Sequence, residues 1–96
     1  MTGYLLSPLA QADIDEIWEY SAKQWSVAQA ERYVRVIQSA IEIAAANPKR
    51  GRACDEIRNG YFKLATGSHV LFYRIVGAKI DIARILHQSM DFERHL

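Results

Sequence analysis

Apolar and polar positions change period along the chain, and each change marks an element. Tyr4-Leu5-Leu6 is a short apolar run that predicts an opening strand. Ser7-Pro8 then reads as a helix start: a serine hydroxyl can cap free backbone N–H groups, and proline at the first helical position loses no hydrogen bond. Ile14, Ile17, Trp18, Ser21 and Trp25 follow at helical spacing and predict one face of a first helix, with Asp13, Asp15, Glu16 and Glu19 largely away from it. Ser26-Val27-Ala28-Gln29 matches a capping box and opens a second helix, whose stripe is Ala30, Tyr33, Val34, Ile37, Ile41 and Ala44. Asn47-Pro48 ends it. So little chain separates the helices that an antiparallel hairpin is expected.

Beyond this point the period shortens. Lys49 to Gly60 reads as a polar loop. Tyr61–Ala65, His69–Val76 and Lys79–His87 read as three strands rich in β-branched and aromatic residues. Thr66-Gly67 and Gly77-Ala78 are the expected turns, short enough to make the strands antiparallel neighbours. Gln88 to Leu96 is left as a short helical turn or a tail. The order β-α-α-β-β-β predicts an α+β fold, with a helical hairpin packed on a small, mostly antiparallel sheet.

Composition bounds the function. A chain of 96 residues with 50% hydrophobic and 24% charged side chains suits one globular domain spanning 1–96 and excludes a disordered chain. The net charge of +1 conceals a split. Residues 1–48 carry three basic and six acidic side chains (net −3), and residues 49–96 carry nine basic and five acidic (net +4). A single cysteine, Cys54, rules out an internal disulfide and suggests a reducing compartment. Met1-Thr2-Gly3-Tyr4 has no basic segment leading into an apolar one, and no run is long enough to span a membrane, so a cytoplasmic location with no membrane partner is expected.

The candidate chemistry is sparse. Lys49, Arg50, Arg52, Arg58 and Lys63 form a basic cluster that is either a solvated connector or a surface for phosphates or an acidic protein. Arg74 shares strand parity with Val70, Phe72 and Val76, and Arg84 with Ile80, Ile82 and Leu86. If those apolar residues face the helices, each arginine needs a partner, either a carboxylate or a bound anion. His69, His87 and His95 lack zinc-site spacing, and no nucleophile motif or phosphate-binding glycine loop is present. No metal, cofactor or catalytic set is expected. Acid–base cleavage of RNA is the one enzymatic option the residue types permit, through Arg58, Lys63, Arg84, His87 and Tyr73.

The segments Tyr4 to Trp18, Trp25 to Tyr33, Asn47 to Arg52, Gly67 to Arg74 and Ile85 to Asp91 together resemble the ParE branch of the RelE/ParE toxins. These are the toxins of type II toxin–antitoxin pairs, not the topoisomerase subunit of the same name. The resemblance implies a β-α-α-β-β-β toxin that traps DNA gyrase by binding. It also implies silencing by a ParD-type antitoxin whose flexible C-terminal segment folds along the toxin, with operator DNA reached only through the antitoxin. The sister RelE branch cleaves messenger RNA and relies on a dense lysine and arginine set with a late tyrosine or histidine. Here no tyrosine follows Tyr73, and Lys63 and Lys79 are the only lysines after the loop, so gyrase inhibition is favoured over an endoribonuclease that stops translation. Arg50, Arg52, Arg58, Arg84, His87, Met90 and Arg94 are the expected target contacts. Trp18, Trp25 and Tyr33 are the expected antitoxin contacts, along an apolar groove between hairpin and sheet.

Overall fold

A computed structural model describes residues 3–96; Met1 and Thr2 lie outside the described residues. Strand β1 (Gly3–Leu6) leads into helices α1 (Pro8–Gln24) and α2 (Val27–Ala46), followed by a 3-10 turn at Pro48–Arg50. Strands β2 (Arg52–Ala53), β3 (Tyr61–Thr66), β4 (His69–Val76) and β5 (Lys79–His87) come next, and a short helix α3 (Phe92–His95) closes the chain. The sheet order is β1-β5-β4-β3-β2. Every neighbouring pair is antiparallel except β1 with β5, which is parallel from Gly3↔Lys79 to Leu6↔Ile82.

Both helix starts form for the expected reason. Ser7 Oγ accepts the Ala10 N–H at 3.0 Å, and Ser26 Oγ accepts the Gln29 N–H at 3.0 Å. The second cap is only half of a capping box, because the Gln29 side chain turns away to accept from Arg32 at 2.6 Å. The α2 stripe is buried as its spacing predicts: Ala30, Ile37, Ile41 and Ala44 are fully covered. On α1 the stripe is corrected in two places. Asp13, assigned to the solvent side, is buried, while Trp25 falls past the end of the helix and is 67% exposed. The reason for the first is an ion pair described below. The second follows from the helix stopping at Gln24, which removes Trp25 from the helical face.

The loop from Lys49 to Gly60 is more ordered than its polarity suggests. Arg52 and Ala53 pair with Lys63 and Phe62 and add a fifth strand. Asp55 Oδ1 accepts the Gly60 N–H at 2.7 Å, and Cys54 is fully buried. The first turn of the sheet shifts by one residue. Thr66 pairs with His69, so the turn is Gly67-Ser68 and not Thr66-Gly67.

The strand parity of β4 and β5 also needs correcting. Leu71, Tyr73, Ile80, Ile82 and Ile85 face the helices, whereas Val70, Phe72 and Leu86 belong to a second cluster with Cys54. Ile82 and Ile85 are three apart yet face the same way, because β5 carries a bulge. Phe72 pairs with Arg84 but Tyr73 pairs with Ile82, leaving Ala83 without a partner. Its carbonyl is taken by the Ser7 hydroxyl at 2.7 Å, so one serine both caps α1 and closes the bulge. Ile57, Tyr61, Met90, Phe92 and Leu96 cover the second cluster, so the sheet is buried on both faces over this half.

Tyr73 anchors the structured loop from below. It is fully buried, donates to the Pro48 carbonyl at 2.7 Å and accepts from the Gly51 N–H at 3.1 Å. Burial pushes its phenol pKa up. A Cβ on Gly51 would sit 2.3 Å from the Tyr73 oxygen and 2.9 Å from the Lys63 carbonyl oxygen, so only glycine fits there. Gly51→Ala is therefore expected to cost about 1–3 kcal/mol of stability. Tyr73→Phe is expected to cost about 1 kcal/mol or somewhat more by leaving two partly buried backbone groups without their partner. Urea denaturation of both single variants and of the double variant checks this. The double variant should lose less than the sum, because removing the hydroxyl relieves most of the alanine clash.

Candidate functional site

A groove of about 760 Å³ opens where β5 runs past the end of β1. Its walls come from α1, the start of α2, the β3–β4 turn, the last residues of β5 and the segment that follows. The apolar contribution is Ile17, Trp25, Ile85, Leu86 and Met90; the polar one includes Glu16, Gln29, Tyr33, Ser68 and three histidines.

The Asp13–Arg84 pair forms one side. Arg84 Nε and Nη2 donate to the two Asp13 oxygens at 2.8 and 2.9 Å, and the Ile85 N–H donates to the same carboxylate at 2.9 Å. The two side chains are 17% and 10% exposed. A bidentate pair with a third donor satisfies a buried carboxylate, which explains why an acidic residue sits in the α1 stripe. The Asp13 hydrogen bonds hold the guanidinium pKa up. Arg74 has the simpler version, an exposed cross-strand pair with Asp81 at 3.2 Å. Both arginines are thus partnered by carboxylates.

Tyr33, His69 and His87 form the opposite side. The Tyr33 hydroxyl accepts the Ser68 N–H at 2.9 Å and shares a second hydrogen bond with His69 Nδ1, 2.6 Å away. A Cβ on Gly67 would stand 2.8 Å from the Tyr33 ring, and the residue sits at φ +58, so the turn is built around this tyrosine. His69 and His87 are a cross-strand pair with ring centroids 5.2 Å apart and planes nearly perpendicular. His87 Nδ1 accepts the Ser89 N–H at 3.1 Å. Burial first, and the neighbouring His87 second, push the His69 pKa down, with Asp13 opposing them.

The groove gathers some of the expected contacts and scatters others. Arg84, His87 and Met90 line it, together with Trp25 and Tyr33. Trp18 is half-buried and does not line it. Arg52 lies on β2, at the far edge of the sheet. Arg50 borders a smaller groove with Val36, Ile43 and Leu64. Arg58 donates to the Leu96 carbonyl and lies over the Tyr61 ring, and Arg94 is exposed on α3. The five residues considered for RNA cleavage are not assembled: Tyr73 is buried in hydrogen bonds, Lys63 faces Glu56, and Arg58 and Arg84 hold the carbonyls of Leu96 and His95. Among the described residues no group of three or more His, Cys, Asp or Glu side chains is placed to hold a metal, and no helix is long and apolar enough to cross a membrane.

Asp13 and His69 are the site residues that sequence spacing missed. Counting back from the Gly77-Ala78 turn would set His69 opposite Leu86; the bulge moves the register by one and sets it opposite His87.

Residues 4–92 match the family described as ParE toxin of type II toxin–antitoxin system, parDE. The chain belongs to the ParE toxin family. It is 60% identical over 94 residues to Toxin ParE1 of Mycobacterium tuberculosis, covering 97% of this chain and 96% of that one. It is 48% identical over 96 residues to Toxin ParE1 of Caulobacter vibrioides, covering 100% and 99%. The fold is also that of a chain in the chromosomal ParDE system of P. aeruginosa, with TM-score 0.79 at 20% identity over 91% of this chain and 96% of that one. A chain of the RelBE2 toxin–antitoxin complex of Mycobacterium tuberculosis follows at TM-score 0.65 and 21% identity, over 90% and 96%.

Two outcomes follow for this ParE-family groove. Asp13→Ala leaves Arg84 without its partner, with an expected loss of about 3–5 kcal/mol in denaturant unfolding. Pairing it with Arg84→Met should recover part of that loss. The fold favours neutral His69, whereas the unfolded chain binds its proton below about pH 6.5. Stability is therefore fully present above that value and is lost as pH falls through it toward the lowered folded-state pKa. Thermal melts across about pH 5 to 7.5 should show a steeper acid-side loss for the parent chain than for His69→Gln.

Proposed function

We propose that this ParE-family toxin inhibits DNA gyrase by binding, with no covalent chemistry of its own, and is silenced in the cytoplasm by a ParD-type antitoxin seated in the groove. Operator DNA is then met only through the antitoxin. The observation that carries the reading is an overlap. Trp25 and Tyr33, expected to meet the antitoxin, line the same groove as Arg84, His87 and Met90, expected to meet the target. A segment filling the groove would cover the target contacts, so neutralisation needs no change of shape.

The groove's chemistry suits an amphipathic segment. Trp25 is exposed and packs edge-on against Tyr20 with centroids 6.3 Å apart, which gives a preorganised aromatic anchor. The polar wall offers Glu16, Gln29 and the histidines to the partner's other face. The basic residues Arg50 and Arg52 lie outside the groove and remain candidates for a second contact with a DNA-bound enzyme.

Supercoiling by purified gyrase tests the reading. Added toxin should stop supercoiling and accumulate cleaved DNA, and prior addition of the antitoxin should restore activity; unimpaired supercoiling refutes gyrase as the target. Trp25→Ala, at an exposed position, should keep the fold and weaken antitoxin binding by about 30-fold, the scale of a hot-spot aromatic. Titration calorimetry measures it, and an unchanged affinity would move the antitoxin elsewhere.

A further inference from the structure

The residues after β5 are attached to the molecule in an unusual way. Gln88 still makes a backbone bond, from its N–H to the Ser68 carbonyl at 2.9 Å. Past it, the backbone bonds given by Met90, Arg94 and Leu96 run to His87, Asp91 and Phe92, all local. What holds this segment down is apolar contact and two arginine side chains. Phe92 packs on Phe72 with centroids 4.8 Å apart, Met90 and Leu96 pack on the same cluster, and Arg84 and Arg58 donate to the His95 and Leu96 carbonyls.

Beneath lies an apolar face of Cys54, Val70, Phe72 and Leu86, all buried. A four-residue helix cannot hold its own shape in water, so the segment keeps its conformation only while it is docked. Elements with few backbone ties and a small contact area open at a fraction of the global unfolding free energy. The segment is also a wall of the groove, through Met90 and His95. Arg84 joins the two, since it holds Asp13 on one side and the His95 carbonyl on the other.

We propose that residues 89–96 form a strap that lifts as a unit from the sheet, uncovering an apolar face centred on Cys54, Val70, Phe72 and Leu86, and that an occupant of the groove holds the strap shut. The lifting goes beyond the function proposed above and does not depend on it; only the holding-shut clause rests on the antitoxin seat.

Cys54 reports on the strap because it lies fully buried beneath it, and burial also pushes its thiol pKa up, which keeps the docked form unreactive. The experiment is thiol labelling with an aromatic disulfide reagent in native buffer, with and without low urea. The expected result is a rate well above that of global unfolding and weakly dependent on urea. Phe92→Ala should raise it about tenfold with the circular dichroism spectrum preserved. Labelling that tracks global unfolding, with its full urea dependence, overturns the strap. So does acceleration by Ile57→Ala with none from Phe92→Ala, because the loop before β3 would then be the moving part. In the purified complex with the antitoxin, labelling should slow at least tenfold. An unchanged rate there, with the Phe92→Ala effect intact, overturns the holding-shut clause and leaves the strap standing.

Discussion

The Asp13 carboxylate takes three N–H donors from two consecutive residues of β5, two from the Arg84 guanidinium and one from the Ile85 backbone. It stands beside β5 where β1 has already ended, so it occupies the place a neighbouring strand would take. An open edge there would invite pairing with another chain. A carboxylate buried among α1 side chains would be costly alone, and the strand supplies the compensation in full. The first helix, the bulged strand and the closing segment are fixed to one another through this group, since the same arginine reaches the His95 carbonyl. The shape of the groove follows from it.

The charge split in the sequence takes a different form in space. The acidic half forms the helical hairpin and the basic half forms loop and sheet, but they are not two plain faces. Asp13 and Arg84 cross the boundary and neutralise each other at the groove, leaving a surface dominated by aromatic, apolar and histidine side chains. The unspent positive charge, Arg50 and Arg52 among it, sits toward the β2 edge, away from the groove. A ParE-family chain built this way presents a largely apolar groove and a basic patch as separate features.

Most of the fold was legible in the sequence, and the misses share a physical origin. Helices α1 and α2 and strands β3 to β5 declare themselves through period, caps and glycine turns, because each is long enough to repeat its pattern. Strand β2 has two residues and no pattern to read. The bulge at Ala83 costs the sequence nothing visible, yet it inverts the parity of β5 and sends Ile85 toward the helices and Leu86 away from them. Asp13 was misassigned because a carboxylate in an apolar stripe is legible only once its partner, 71 positions away, is known. The site was harder to read for the same reason. His69 and His87 meet by register, and register passes through the bulge.

Strand β1 lies parallel to β5, and Ser7 at its end bonds to Ile82 and Ala83, so the first and last strands are neighbours. Contacts of such long sequence separation form late and slowly. A chain emerging from the ribosome at about 5–20 residues per second can build its helical hairpin early, but β1 has nothing to pair with until β5 is out. The groove needs residues from both ends of the chain, from Asp13 to His95. A chain released before His87 lacks the end of β5 and the last wall of the groove, so the complete groove forms only after those residues have been made.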